Sequence, residues 1–328
     1  MMFPTLKKIF SVFALGSIGL VALLLVAVQL RKDRTFEAPY PQLHASQDPQ
    51  IIERGRYLVY GPGHCVDCHG DHQVQGDARR TAPLSGGMSW ELPPGKFTAK
   101  NITPDEKTGI GRYTDPQIAR LLRYGVKPDG RAAIPFMSFG NMVDDDLVAI
   151  LSFLRSQAAV ERAIPDAKPN LLGDAVMAFV IEPEGPKTPP AKTKPPEPTA
   201  EYGRYLASDV AGCIACHTQV DMRTGQSIAP PFSGGAEIPS HTDTSLVFIT
   251  PNLTPHERDG WIAGWNENMF VGRMGAGPVL EHSPMPWRSY QNLSENDRRA
   301  LYRFLVSLPP SAGGPDPKLR NVQKTVAN

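Results

Sequence analysis

All four cysteines of this chain stand in two copies of one pentapeptide, Cys65-Val66-Asp67-Cys68-His69 and Cys213-Ile214-Ala215-Cys216-His217. Cys-x-x-Cys-His is the spacing by which a c-type haem is attached: two thiols add to the vinyl groups, and the adjacent imidazole ligates iron. Two copies with no thiol left over make accident a poor explanation. They imply two covalently attached c-type haems, held through Cys65 and Cys68 and through Cys213 and Cys216.

An internal duplication carries the two pentapeptides. Gly55-Arg56-Tyr57-Leu58 recurs as Gly203-Arg204-Tyr205-Leu206, at the offset of 148 that also separates Cys65 from Cys213. Pro83-Leu84-Ser85-Gly86-Gly87 recurs as Pro231-Phe232-Ser233-Gly234-Gly235 at the same offset. Asn101-Ile102-Thr103-Pro104 matches Asn252-Leu253-Thr254-Pro255 at 151, and Met137 matches Met285 at 148 again. The units fall at residues 48–156 and 199–309, each with one attachment site.

Length agrees, since 328 residues suggest roughly two domains. A formal net charge of +1 gives no reason to expect a nucleic-acid partner. The first 34 residues read as an N-terminal signal anchor. Lys7 and Lys8 precede an uncharged run from Ile9 to Leu30, and Arg31-Lys32-Asp33-Arg34 stops it. Those 22 residues can cross a bilayer, whereas the core of a signal peptide is about 7–15. A removed signal peptide is the competing reading. Residues 35–47 form a short tether. Between the units, residues 157–198 connect; Leu171 to Ile181 is apolar enough to pack on one unit, and the seven prolines of residues 183–198 mark an extended linker. Residues 310–328 read as a loose polar tail.

The fold class is mainly α: two tandem class I cytochrome c-like domains after an N-terminal transmembrane helix. Asp48-Pro49 and Asp115-Pro116 are helix starts, and Gly125 is a stop. Asp144 to Asp146 open a helix with the stripe Leu147, Ile150, Leu151 and Leu154. Ser294-Glu295-Asn296-Asp297 resembles a capping box before Leu301, Phe304, Leu305 and Leu308. No period-2 alternation of a sheet stands out.

His69 and His217 are the expected proximal ligands. Each needs a carbonyl for its other ring nitrogen, expected near Ala82-Pro83 and Pro230-Pro231, where proline also serves as plain loop punctuation. Met137 and Met285 each lie 68 residues beyond the histidine, after a proline-containing loop and before a unit's last helix. A thioether there gives each iron a His/Met pair, which raises its potential and closes it to substrates; core packing is the competing role for a methionine. Met88, Met142, Met269 and Met274 lack counterparts at matched places. Of His64, His72, His241, His256 and His282, only His282, three residues before Met285, competes for an iron. The spacing from Met137 to the last helix is three residues shorter than from Met285, with Ser138 for Pro286 and Val143 for Ser294. Arg123 and Arg273 recur and suit either a haem propionate or solvent.

Together the two attachment sites, Asn101-Ile102-Thr103-Pro104-Asp105 with Thr108-Gly109-Ile110-Gly111, and Pro284-Met285-Pro286-Trp287 resemble the membrane-bound multihaem cytochrome c subunits of bacterial alcohol, aldehyde, gluconate and sorbitol dehydrogenases. Those subunits carry three haem sites, and this chain has two. The resemblance implies an electron carrier, not an enzyme. It would take electrons from a dehydrogenase subunit or quinol oxidiser and pass them to a terminal oxidase or soluble cytochrome. The haem domains would face the periplasm from the cytoplasmic membrane. A dihaem cytochrome c peroxidase, with one open iron, is the alternative.

Overall fold

The computed structural model describes residues 3–71, 73–74, 78, 81–137, 139–186, 188–221, 225–243, 245–314 and 322–324. His72 and Ser138 lie outside them, as does most of the tail.

The chain opens with α1 (Phe3–Arg31), whose segment Phe10–Arg31 is long and apolar enough to cross a membrane and is largely exposed within the fold. The first repeat follows as α2 (Pro49–Tyr60), the attachment helix α3 (Cys65–His69), a hairpin of β1 (Ser89–Leu92) and β2 (Gly95–Thr98), then α4 (Asp115–Tyr124) and α5 (Asp144–Ser156). After β3 (Lys168–Pro169) and α6 (Leu171–Phe179), the second repeat gives α7 (Ala200–Tyr205), α8 (Cys213–Cys216), β4 (Glu237–Pro239), β5 (Leu246–Ile249), α9 (Glu267–Gly275), α10 (Trp287–Tyr290) and α11 (Glu295–Ser307). A single π-helical turn, Leu206–Val210, continues α7. The last strand is β6 (Val322–Lys324).

The structure is mainly helical, with two small sheets that the sequence reading passed over. β1 pairs antiparallel with β2 and β2 with β3; β4 pairs with β5 and β5 with β6. Strands of two to four residues are too short to show alternation. The tail is likewise less loose than its composition suggests, since β6 pairs with β5 and Ser311 O accepts from Asn252.

Helix boundaries follow local chemistry. The Asp48 side chain accepts from Gln50 N–H ahead of Pro49. Thr114 and Gln117 form a capping box on α4, and Gly125 ends it at φ 65°. Each repeat is built on one crossing of its first and last helices, α2 on α5 and α7 on α11. Glycine makes both crossings possible. A Cβ on Gly55 would lie 1.8 Å from the Ala149 carbonyl oxygen, and one on Gly203 would lie 2.0 Å from that of Ala300.

The buried apolar residues of the two repeats form one continuous core. Its polar seam has approximate two-fold symmetry. Tyr57 donates to Asp297 in the other repeat and accepts from the Ser294 N–H at 3.0 Å. Tyr205 mirrors it, donating to Asp146 at 2.7 Å and accepting from the Val143 N–H at 3.3 Å. Arg54 completes the seam with two bonds to Asp146, at 2.9 and 3.1 Å, and one to the Tyr202 hydroxyl at 3.2 Å. These groups are buried or partly buried and mutually satisfied, so they fix how the repeats face one another.

Candidate haem-binding site

Each attachment helix starts from a left-handed residue, Gly212 at φ 64° and His64 at φ 38°. Glycine takes this turn without cost. His64 takes it with its ring edge-on to Tyr290, 5.7 Å between centroids, so it belongs to the wall between the repeats. Burial pushes the Cys65 and Cys213 thiols up to about 12.

The imidazoles are held alike. His69 Nδ1 donates to the Lys100 carbonyl at 2.7 Å, and His217 Nδ1 to the Pro251 carbonyl at 2.9 Å. Burial lowers both imidazoles from their usual range, so both rings are neutral and each leaves Nε2 free for a metal. The expectation of acceptors near Ala82-Pro83 and Pro230-Pro231 is corrected here. Those carbonyls are already taken: Ala82 O by the Tyr60 hydroxyl at 3.1 Å, Pro83 O by Asp71 N–H at 2.9 Å, and Pro230 O by Ser233.

The true acceptors immediately precede the repeated Asn-x-Thr-Pro segments, and their positions explain those segments. Asn101 Oδ1 accepts from Thr103 N–H and hydroxyl at 2.9 and 2.8 Å, while its Nδ2 reaches Val160 O at 2.8 Å. Asn252 does the same with Thr254, at 2.9 and 2.8 Å, and with Ser311 O at 2.7 Å. Each asparagine thus locks the backbone whose preceding carbonyl orients a histidine. The offset of 151 shared by Lys100 with Pro251 and Asn101 with Asn252 was the available signal.

In the second repeat, Cys213, His217 and Met285 line one cavity with Ala207, Trp261 and Leu301. Its walls are almost wholly apolar, with a thiol, an imidazole and a thioether as the converging polar groups. This donor set suits a thioether-linked porphyrin whose iron takes one nitrogen and one sulfur ligand. Met274, set aside for want of a counterpart, lines the same cavity.

The first repeat brings its predicted residues together less completely. Met137 is half-buried beside Phe136, which is 58% exposed and stacks on Trp90 at 5.7 Å. Met285, by contrast, packs on the core. Met142 is wholly buried two positions before α5; Leu293 stands at the same place before α11 and lines the second cavity. Met269 is exposed and Met88 half-buried. His282 is tied through Nδ1 to the Thr242 hydroxyl at 2.9 Å, and His256 Nδ1 accepts from the Asp259 N–H at 3.2 Å. His241 lies edge-on to Trp90.

The recurring arginines do different work. Arg123 is buried and donates to Gly140 O, Met142 O and Asp144, so it braces the loop before α5. Arg273 lies over the Trp287 ring, 3.7 Å from its centroid, and donates to Gly277 O at 2.9 Å.

Hydrogen bonds also join the two candidate sites. Asp67, inside the first attachment loop, accepts from the Ser289 hydroxyl at 2.7 Å, and Asn292 donates to Tyr60 O at 2.8 Å. The residues just beyond Met285 therefore rest on the first attachment loop.

No protein-family model matches the chain. A gluconate 2-dehydrogenase cytochrome c subunit of Pantoea cypripedii is 31% identical over 280 residues, covering 79% of this chain and 59% of that protein. A fructose dehydrogenase cytochrome subunit of Gluconobacter japonicus is 27% identical over 311 residues, covering 88% of this chain and 58% of that protein. A dihaem c-type cytochrome of Cereibacter sphaeroides is 25% identical over 285 residues, covering 82% of this chain and 89% of that protein. The chain spans about three fifths of the two dehydrogenase subunits. With its paired attachment motifs, this chain is a relative of the cytochrome c subunits of bacterial dehydrogenases and of a dihaem cytochrome c.

Proposed function

We propose that this chain is a membrane-anchored dihaem c-type cytochrome. It would carry electrons from a membrane-associated dehydrogenase or quinol oxidiser to a downstream respiratory acceptor, with residues 48–156 and 199–309 as two class I cytochrome c-like domains. His69 and Met137 would hold one iron, and His217 and Met285 the other. The anchor would leave both domains in the periplasm. When bound, each haem supplies a one-electron couple; the chain supplies burial, orientation and closure. Burial keeps the imidazoles neutral, and the Lys100 and Pro251 carbonyls keep them aimed. The apolar walls would keep water off the ring, and the Asp67–Ser289 contact would tie the segment beyond Met285 to the first attachment loop.

The observation that carries this reading is the second cavity, where Cys213, His217 and Met285 meet. The test is a pyridine haemochrome assay with a spectrum of the oxidised protein. Two haems per chain and a sulfur-to-iron charge-transfer band are expected. Ready addition of carbon monoxide to the ferrous protein would remove the closed-carrier reading and favour a peroxidase-like centre with an open iron.

A further inference from the structure

The face that α6 turns to solvent is its apolar one. Leu172, Val176, Phe179 and Val180 fall at i, i+4, i+7 and i+8, one stripe of a helix. Leu172 is 54% exposed, Phe179 46% and Val180 61%, while Gly173 and Ala178 on the other side are buried. Leu171, 56% exposed, extends the patch. A surface helix normally has the reverse arrangement.

Its inner face rests on the end of α1. Arg31 Nε donates to Ala178 O at 3.4 Å, with its guanidinium 5.5 Å from the Phe179 ring centroid. Lys32 pairs with Asp174 at 3.2 Å, and Arg34 bonds Glu182 at 3.2 Å and Ile181 O at 2.9 Å. Lys32 and Arg34 are thus paired with carboxylates, Arg31 is held by a carbonyl and a ring, and the apolar stripe lies outside them. At its other end α6 is tied to the first repeat. Asn170 Nδ2 donates to Pro93 O at 2.8 Å, and a Cβ on Gly173 would lie 2.1 Å from Pro94 O. The segment from Leu171 to Ile181 thus meets the first repeat through Asn170 and Gly173 and packs along α1.

We infer that α6 is a second membrane element, lying in the headgroup boundary with Leu172, Phe179 and Val180 directed into lipid. The inference rests on α1 spanning the membrane. Where a spanning helix ends in Arg31-Lys32-Asp33-Arg34, whatever packs against those residues lies at the level of the interface. Continuity with the anchor thus identifies lipid as the occupant of the stripe. The helix would act as a strut that holds the first repeat at a fixed height and tilt.

The test uses the full chain with both haems attached, reconstituted in phosphatidylcholine/phosphatidylglycerol nanodiscs. Because the native cysteines are consumed by haem, Leu172→Cys and Phe179→Cys each offer one thiol for a nitroxide. Collision with oxygen is compared with collision with a water-soluble nickel chelate, using Leu25→Cys as the anchor reference and Val306→Cys as the aqueous one. An oxygen preference at 172 and 179 several-fold above that at 306, approaching that at 25, is expected. Aqueous accessibility at 172 and 179 with lipid accessibility at 25 overturns the inference while sparing the anchor, and points to a protein partner on the stripe. Aqueous accessibility at 25 as well removes the anchor reading and the inference with it.

Discussion

The first repeat is strapped by the segments that precede and follow it, whereas the second carries its own helix cap and sets its methionine loop into the core. In the first, Arg120 holds the segment before α2 through Phe36 O and the Tyr40 hydroxyl, both at 2.9 Å, and Ser152 and Asp115 accept from Ser46 and Ala45. The connecting segment lies on the far side, where Ala191 O and Lys192 O accept from the first two amides of α5. The second repeat has a serine cap on α11, a continuous ligand loop of Pro284-Met285-Pro286-Trp287, and Trp287 buried against the core. Both hold a histidine identically; only the second sets its methionine into the core. The histidine side of the candidate site is therefore built alike in both copies, and the methionine side is where they have diverged.

The sharpest break between the copies is expected from their methionines. Met285→Leu should abolish the sulfur-to-iron band of one haem, lower that haem's potential and admit carbon monoxide to it. Met137→Leu should do the same for the other haem. Because the Met137 loop is anchored less deeply, imidazole should displace the first haem's sulfur at lower concentration than the second's. Equal titrations at the two haems would show that the difference in packing has no consequence for ligation.

A large effect shared by both copies is expected at the helix crossings. Gly203→Ala places a methyl 2.0 Å from a backbone oxygen, and Gly55→Ala does so at 1.8 Å. Neither backbone can yield without parting two helices, so each should cost about 3 kcal/mol and lower haem retention. Thermal melts of the purified protein read the cost. A loss confined to one repeat would break the symmetry inferred for the crossings.

The tyrosine seam tests the contact between the copies, with a signed pH dependence. Burial raises the Asp297 carboxyl above its ordinary range, and Tyr57 opposes that shift by donating to the ionised form. A raised acid favours the folded state below its unfolded pKa, about 3.9, and loses that advantage as pH rises through its folded pKa. Tyr57→Phe removes the donor, so the ionised carboxylate should cost about 1–3 kcal/mol more at pH 7. The deficit should shrink as pH falls toward 4 and Asp297 takes up its proton. Denaturant midpoints at the two pH values measure it; a deficit independent of pH would assign the loss to packing instead.

Much of the site was legible because covalent attachment leaves a local signature. Cys65, Cys68 and His69 are adjacent in sequence as they are in function, and Asp48-Pro49, Thr114 and Ser294 write their helix starts in side chains. What escaped was written in backbone or in tertiary context. Lys100 and Pro251 act through carbonyls, to which side-chain identity is nearly irrelevant. The β1–β2 hairpin turns at Pro93-Pro94 over strands too short to alternate. The segment from Leu171 to Ile181 shows an apolar face without saying whether protein or another apolar phase covers it. The seam joining Tyr57 to Asp297 crosses the whole chain, and only the repeat at offsets 148 and 151 hinted that both copies had it.

The smallest expected difference lies at the starts of the last helices. Ser294 Oγ accepts from the Asp297 N–H at 3.1 Å, while Val143 offers no side-chain acceptor to α5. Removing the cap by Ser294→Ala should cost about 1 kcal/mol. The mirror change, Val143→Ser, should return much less than that. Asp144 and Asp145 already donate to Ala191 O and Lys192 O, at 3.2 and 2.9 Å, so most of the orphaned amides of α5 are already satisfied. Three acidic residues in the first turn of α5 add a favourable charge at the same end. Denaturant midpoints for the two variants decide the matter. A gain from Val143→Ser as large as the loss from Ser294→Ala would mean that the connecting segment leaves the helix end open in solution, and that the first repeat lacks the brace its shorter loop requires.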